Sequence, residues 1–160
     1  MTLRQLLFPG MSRPRLEHGG DIGRGKRKES RPFSSRRPAH VVLRSSRATG
    51  PWSLRRRANE TAVTEEIEQA ARRFGIKVYE QAILATHLHM LCRARRRKDL
   101  QNFLRVVGGR IAQRVTGARK GQPCLGFWDE LAYSRVVAWG PDFRNVRRYV
   151  QQNQRETMGP

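Results

Sequence analysis

Acidic residues are scarce in this chain: 13 Asp+Glu stand against 33 Lys+Arg, leaving a formal charge of +20 over 160 residues. A field of that sign concentrates polyanions at the surface, so nucleic acid is the default partner. Long apolar runs are also missing. No stretch approaches the roughly 20 residues a bilayer-spanning helix needs, and no basic helix carries a bulky apolar face, which argues against a membrane partner. Cysteine occurs twice, as Cys92 and Cys124, without C-x-x-C spacing and without a secretory signal ahead of it. A disulfide framework and a thiolate metal site are therefore not expected, and both thiols read as small buried hydrophobes in a reducing cytoplasm. No internal repeat is present. The K/R-G-F/Y run of an RNA-recognition motif is missing too.

At 38% hydrophobic residues the chain has material for one core and one domain. Residues 1–37 are rich in Arg, Lys, Gly, Ser and Pro and show no helical or strand period, so they read as a flexible basic arm. The folded domain is expected over 38–156. Ala39–Ser45 is a β-branched run that predicts a first strand. Trp52–Arg57 reads as a loop or weak strand. Val63, Ile67, Ala70, Ala71 and Phe74 form the stripe of an amphipathic helix over Thr61–Phe74, closed by Gly75. Ile76–Leu91 is long enough for two strands, or for one broken near Glu80–Gln81. Asp99 is placed to cap a second helix carrying Leu100, Phe103, Leu104, Val107, Ile111 and Val115, a stripe that continues through the weakening Gly108-Gly109. Tyr133–Trp139 reads as a further strand. Asp142 opens a last helix with Phe143, Val146 and Val150 as its buried side. This order fits an α+β fold in which two helices cover one face of an open antiparallel sheet.

Chemistry concentrates in two places. Strand alternation from Ile83 to Cys92 puts Leu84, Thr86, Leu88, Met90 and Cys92 on one face, and Ile83, Ala85, His87, His89 and Leu91 on the other. Two imidazoles at i and i+2, rooted about 7 Å apart, are able to converge on one ion. In the last helix, Tyr149 and Asn153 lie at i and i+4 on one face, flanked by Arg147 and Arg148. Positive charge is what a phenol needs to act as a nucleophile, its reference pKa being about 10. An Asn153 carboxamide oxygen would be a hard third ligand, favouring Mg²⁺ or Mn²⁺. Taken alone, the histidine pair reads first as hydrogen-bonded surface groups, and Tyr149 first as a ring on the core edge. Tyr133 is a second candidate nucleophile. Arg93, Arg95, Arg96, Arg97 and Lys98, in the run RARRRK after the histidine strand, are candidate phosphate contacts; Trp52 and Trp128 are open as core residues or stacking platforms, and Trp139, in an apolar run, reads first as core packing and second as a platform.

Ala39-His40-Val41-Val42-Leu43-Arg44, Thr86-His87-Leu88-His89-Met90-Leu91, Gly126-Phe127-Trp128 with Ser134-Arg135-Val136-Val137, and Arg148-Tyr149-Val150-Gln151-Gln152-Asn153 occur in a particular order and spacing. In this the chain resembles the single-tyrosine HUH transposases, the insertion-sequence-200-like group that includes the REP-associated tyrosine transposases. The resemblance covers roughly residues 40–154. It implies a ferredoxin-like antiparallel sheet with helices on one face and a C-terminal catalytic helix. It implies divalent metal at His87, His89 and Asn153, and Tyr149 as the nucleophile that cleaves and rejoins single-stranded DNA through a 5′-phosphotyrosine. A hairpin DNA substrate, frequently a homodimer, and a place in the prokaryotic cytoplasm at the nucleoid follow from the same resemblance. Thr86 departs from it, because many relatives have Asn there, and so does the basic arm before Arg37. The alternatives are a domesticated, non-catalytic nucleic-acid binder on the same fold, or another HUH endonuclease such as a replication initiator or relaxase. A relaxase commonly carries a third histidine in the cluster, which is missing from the H-x-H segment here.

Overall fold

The computed structural model describes residues 16–25 and 29–156. Five strands and three helices follow one another as β1 (Glu17–His18), β2 (Ala39–Arg44), α1 (Arg57–Phe74), β3 (Lys77–Ile83), β4 (His87–Arg93), α2 (Arg97–Thr116), β5 (Tyr133–Val136) and α3 (Pro141–Glu156). All strand pairs are antiparallel, in the order β1-β5-β2-β4-β3. The run from β2 to β5 is therefore the β-α-β-β-α-β arrangement of a ferredoxin-like fold, as expected.

The amphipathic stripes dictate the layers. Val63, Ile67 and Ala70 of α1 and Phe103, Val107 and Ile111 of α2 pack on one face of the sheet, against Val41, Leu43, Leu88, Met90 and Cys92. Helix α1 starts four residues earlier than its stripe suggests, after a short 3-10 turn at Gly50–Trp52, and ends on Gly75 in the left-handed conformation (φ 63°). Helix α2 runs unbroken through Gly108, whose carbonyl accepts the Trp128 indole N–H at 2.9 Å. Its N-cap is Arg96 rather than Asp99. Asp99 sits in the first turn and pairs with the Arg96 guanidinium at 2.9 Å, complementing the helix dipole there.

Helix α3 covers the other face. Val146 and Val150 meet Ala82, Leu91 and Val137 in a second, smaller cluster bordered by Tyr79, Phe143 and Tyr149. Polar contacts anchor both ends of α3. Near its start, Asp142 accepts both Arg135 amino groups and the Ala138 N–H, each at 3.0 Å. Near its end, Gln154 Oε1 accepts the Ile83 N–H at 2.9 Å.

Three sequence expectations shift. The Ile76–Leu91 run is two strands, but the break falls at 84–86, where Leu84 N–H bonds to the His87 carbonyl and the connector is pinned to Ser45 and Leu54 by backbone bonds. Glu80–Gln81 carries only the edge of a register irregularity at Val78/Glu80. The turn reverses the alternation, so Ile83 pairs with Leu88 and joins the α1/α2 core instead of the histidine face. Within 1–37, where no element is read from the sequence, Glu17–His18 pairs with β5. The connection turns at Gly19 (φ 77°), where any Cβ would lie 2.2 Å from the Ala132 carbonyl oxygen. Arg31 then reaches the Ala132 carbonyl and the Ser134 hydroxyl at 2.8 and 2.6 Å. The rest of the arm, residues 1–15 and 26–28, lies outside the described residues.

Candidate active site

The histidine face of β4 is the one that α3 covers. His87 and His89 project from it with rings nearly parallel, 20° apart, and centroids 6.3 Å apart. His89 is 3% exposed and His87 is half-buried. Tyr149 comes down from α3 onto the same face, its ring edge-on to His89 at 5.7 Å. The structure thus brings together three residues singled out in the sequence. Asn153 follows one helical turn later and is partly buried, its amide nitrogen donating to the Tyr149 carbonyl at 3.0 Å.

Two residues at this site were not read as functional. His40, on β2, lies diagonally across the ladder from His89, because His40 pairs with Leu91 and Val42 with His89. Its ring stacks on His89 at 5.4 Å, with His40 Nε2 and His89 Nδ1 only 3.2 Å apart, one donating to the other. Tyr149 is edge-on to His40 as well, at 6.1 Å. His40 is thus a third imidazole beside the pair, joined to it by a ring–ring hydrogen bond, but the three rings do not form a group able to hold a metal. His40 shares the parity of Val42 and Arg44, but only knowledge of which strands are neighbours places it beside the pair. The second is Thr86, whose hydroxyl lies 2.7 Å from His87 Nδ1.

The electrostatics keep all three imidazoles neutral. Burial, reinforced by the Arg135 charge, pulls His40 down to about 3. Burial first, then His40 and His87, holds His89 well below the ordinary imidazole range. His87 is lowered by burial and by Arg44, with Asp129 opposing. Neutral imidazole is the form that ligates a metal. With both Nδ1 atoms engaged, His87 and His89 each have Nε2 left, which fits a divalent cation taken by nitrogen. Among the described residues, no three His, Cys, Asp or Glu side chains are grouped to hold a metal. A complete site therefore needs an oxygen donor of another kind, such as the Asn153 carboxamide.

Tyr133 is removed as a nucleophile by its surroundings. Its hydroxyl donates to Glu17 at 2.9 Å, and burial together with that carboxylate raises its pKa above the ordinary phenol value. The basic candidates do not gather at the imidazoles. Arg93 lies at the opposite end of β4, six residues and about 20 Å from His87 at ~3.3 Å per residue. Arg95, Arg96, Arg97 and Lys98 are exposed beyond it, with Arg96 paired to Asp99 and Arg97 bonded to the Arg31 carbonyl and lying over the Phe33 ring. Arg147 pairs with Glu80 at 3.1 Å on α3's outer edge, and Arg148 is exposed. Trp128 and Trp52 pack against the larger core, whereas Trp139, expected there from its apolar run, is instead 47% exposed beside Tyr79 and Phe143. A groove of about 930 Å³ lies on the α2 side, lined by Arg31, Leu43, Arg105 and Trp128 among others, and contains none of the imidazole cluster. No helix among the described residues is long and apolar enough to cross a membrane.

No protein-family model and no curated protein sequence matches the chain. Solved structures do. One is a putative transposase from Deinococcus radiodurans, 14% identical, with a TM-score of 0.48 over 80% of this chain and 98% of that one. Another is a REP-associated tyrosine transposase bound to a REP hairpin, 11% identical, with a TM-score of 0.64 over 82% of this chain and 74% of that one. At such identities the likeness is one of fold, and at that level the resemblance read from the sequence holds: the chain has the architecture of a REP-associated tyrosine transposase, C-terminal helix included.

Proposed function

We propose that this chain is a transposase-type nuclease acting on single-stranded DNA, with Tyr149 as its nucleophile. The observation that carries the reading is the packing of the Tyr149 ring against His89, on the one sheet face that presents neutral, paired imidazoles. The Tyr149 oxygen attacks the scissile phosphorus in line. The O–P bond forms as the bond to the 3′-oxygen breaks, the phenol proton passing to solvent and the departing 3′-oxygen taking one up. The phosphodiester energy stays in the 5′-phosphotyrosine, so a second 3′-hydroxyl reverses the step and joins strands. Mg²⁺ or Mn²⁺ held by His87, His89 and Asn153 would neutralise charge on a non-bridging phosphate oxygen. The anchored α3 fixes the phenol relative to the sheet.

Binding is driven by phosphate contacts. Arg93, Arg95, Arg96, Arg97 and Lys98 form one basic patch and Arg147 and Arg148 another. Arg147 pairs with Glu80, which lies opposite Leu91 and two residues from Arg93, so the two patches are neighbours on the sheet and are able to track one strand together. Each neutralised phosphate adds to the salt sensitivity of binding. A hairpin is the first DNA to try, since the REP-associated relative was solved with one.

A labelled hairpin oligonucleotide with a single-stranded flank, incubated with Mn²⁺, is expected to yield a denaturant-resistant protein–DNA adduct. Tyr149→Phe should abolish the adduct while leaving the salt-sensitive gel shift unchanged. Adducts that persist in the variant mean the nucleophile lies elsewhere. One observation favours a non-catalytic binder on the same scaffold: among the described residues, no three His, Cys, Asp or Glu side chains are grouped to hold a metal. A gel shift with no adduct from the wild-type chain, in either metal, supports that second reading.

A further inference from the structure

The two imidazoles of β4 are each held at the same ring atom by a different neighbour. His87 Nδ1 is 2.7 Å from the Thr86 hydroxyl, and His89 Nδ1 is 3.2 Å from His40 Nε2. An imidazole presents a lone pair to a metal only from its unprotonated nitrogen, and which nitrogen that is depends on what the other one bonds to. We propose that His40 and Thr86 are positioning residues: each accepts the Nδ1–H of one imidazole, so that His87 and His89 turn their Nε2 lone pairs outward together to take a divalent cation. The inference rests on the reading of the pair as a metal site and specifies how that site is set.

Geometry makes the His40 contact a strong constraint. His40 is 5% exposed and His89 3%, so water is no ready substitute as a partner for either ring. The two rings are stacked 15° from parallel, and Tyr149 stands edge-on to both, closing the third side. Val42 is directly opposite His89 in the ladder and offers no hydrogen-bond partner. His40 is thus the side chain that sets this tautomer. Once His40 accepts at Nε2, its own proton lies on Nδ1. Thr86 does the same for His87 from the connector, and that connector is itself pinned by the bonds from Ser45 N–H to the Thr86 carbonyl and from Leu54 N–H to the Ala85 carbonyl. The departure from Asn at this position therefore keeps an oxygen acceptor in reach of the ring.

The test is a titration of the full-length chain with Mn²⁺ alone, following free Mn²⁺ by electron paramagnetic resonance, beside long-range ¹⁵N–¹H correlation spectra of the imidazoles. The wild-type spectra should show both His87 and His89 protonated at Nδ1, a readout that needs no variant. His40→Phe removes the acceptor but fills the space, and is expected to weaken Mn²⁺ binding about 10–100-fold with His89 in mixed tautomers. His40→Gln, whose carbonyl oxygen reaches the place of Nε2, should recover most of the affinity. Thr86→Val should weaken binding by a smaller factor and disturb only His87. A wild-type His89 protonated at Nε2 overturns the proposal, as does a folded His40→Phe that binds Mn²⁺ like wild type. If wild type binds no Mn²⁺, or binds it undiminished in His87→Ala, the metal reading itself fails and takes the inference with it. Failure at His40 alone leaves that reading standing.

Discussion

Replacing Asp142 by Ala should loosen α3 from the sheet and carry Tyr149 with it. The carboxylate receives three bonds of 3.0 Å, two from the Arg135 guanidinium and one from the Ala138 N–H. Arg135 and Asp142 are only 13% and 19% exposed. Truncating one partner of a buried ion pair costs about 3–5 kcal/mol, because the other charge is left without compensation. Residual exposure here puts the expected loss near the lower limit, about 3 kcal/mol, which is a large share of the roughly 5–15 kcal/mol that holds a domain of this size folded. At a urea m-value of about 2 kcal/mol/M, the midpoint falls by ~1.5 M. Asp142→Asn keeps the acceptor for Ala138 and one bond to Arg135, so about half the loss is expected. Circular dichroism during urea titration measures both, and hydrogen exchange should show the first turns of α3 opening before α1 and α2. A loss under about 1 kcal/mol in Asp142→Ala would place the pair among solvated surface contacts and refute the claim that it fixes α3.

The remaining predictions concern protons and thiols. Three imidazoles are held below their ordinary value of 6.5, His40 at about 3. Between those limits the unfolded chain binds protons that the folded cluster refuses, so stability is fully present above pH 6.5 and falls as pH drops, by up to ~1.4 kcal/mol per pH unit for each imidazole still neutral. Urea midpoints at pH 7, 6 and 5 in metal-free buffer measure the slope, and a midpoint that rises on acidification contradicts the burial of the cluster. Cys92 is fully buried with its thiol pushed up to about 12, while Cys124 is partly exposed. Ellman's reagent should therefore modify one thiol per native chain rapidly and the second only on unfolding, and mass spectrometry should place the first label on Cys124.

Legibility followed the length of each periodic signal. The stripes of α1 and α2 repeat over about three and four turns, and both helices are legible from them, their first residues aside. β1 is two residues long and carries no period at all. The turn at 84–86 interrupts a β-branched and apolar stretch without any Gly or Pro to mark it, so the alternation was carried straight through and Ile83 was assigned to the wrong face. Within the site, His87, His89 and Tyr149 were legible because each pattern is local to one element. His40 was not, since its proximity to His89 depends on β2 and β4 being neighbours, a non-local fact. The same holds for the RARRRK run, which adjoins the histidine strand in sequence but lies at its far end in space.

The placement of the phenol follows from how unequally the two sheet faces are composed. Toward α1 and α2, β2 and β4 present Val41, Leu43, Leu88, Met90 and Cys92, an unbroken apolar surface that two long helices bury. Toward α3 the same strands present His40, Val42, His87, His89 and Leu91, so apolar area is concentrated near Leu91, Ala82 and Val137. A helix with a narrow apolar stripe has one stable way to lie there, with Val146 and Val150 over that patch. Tyr149, one residue before Val150 and three after Val146, is then carried by the 100° helical step to the margin of the patch, where the imidazoles begin. The register of hydrophobic burial, fixed at both ends by the Asp142 and Gln154 bonds, thus delivers the phenol to the imidazoles of that face. A substitution that shifted the stripe by a single residue would rotate it away from His89 without touching any group at the site.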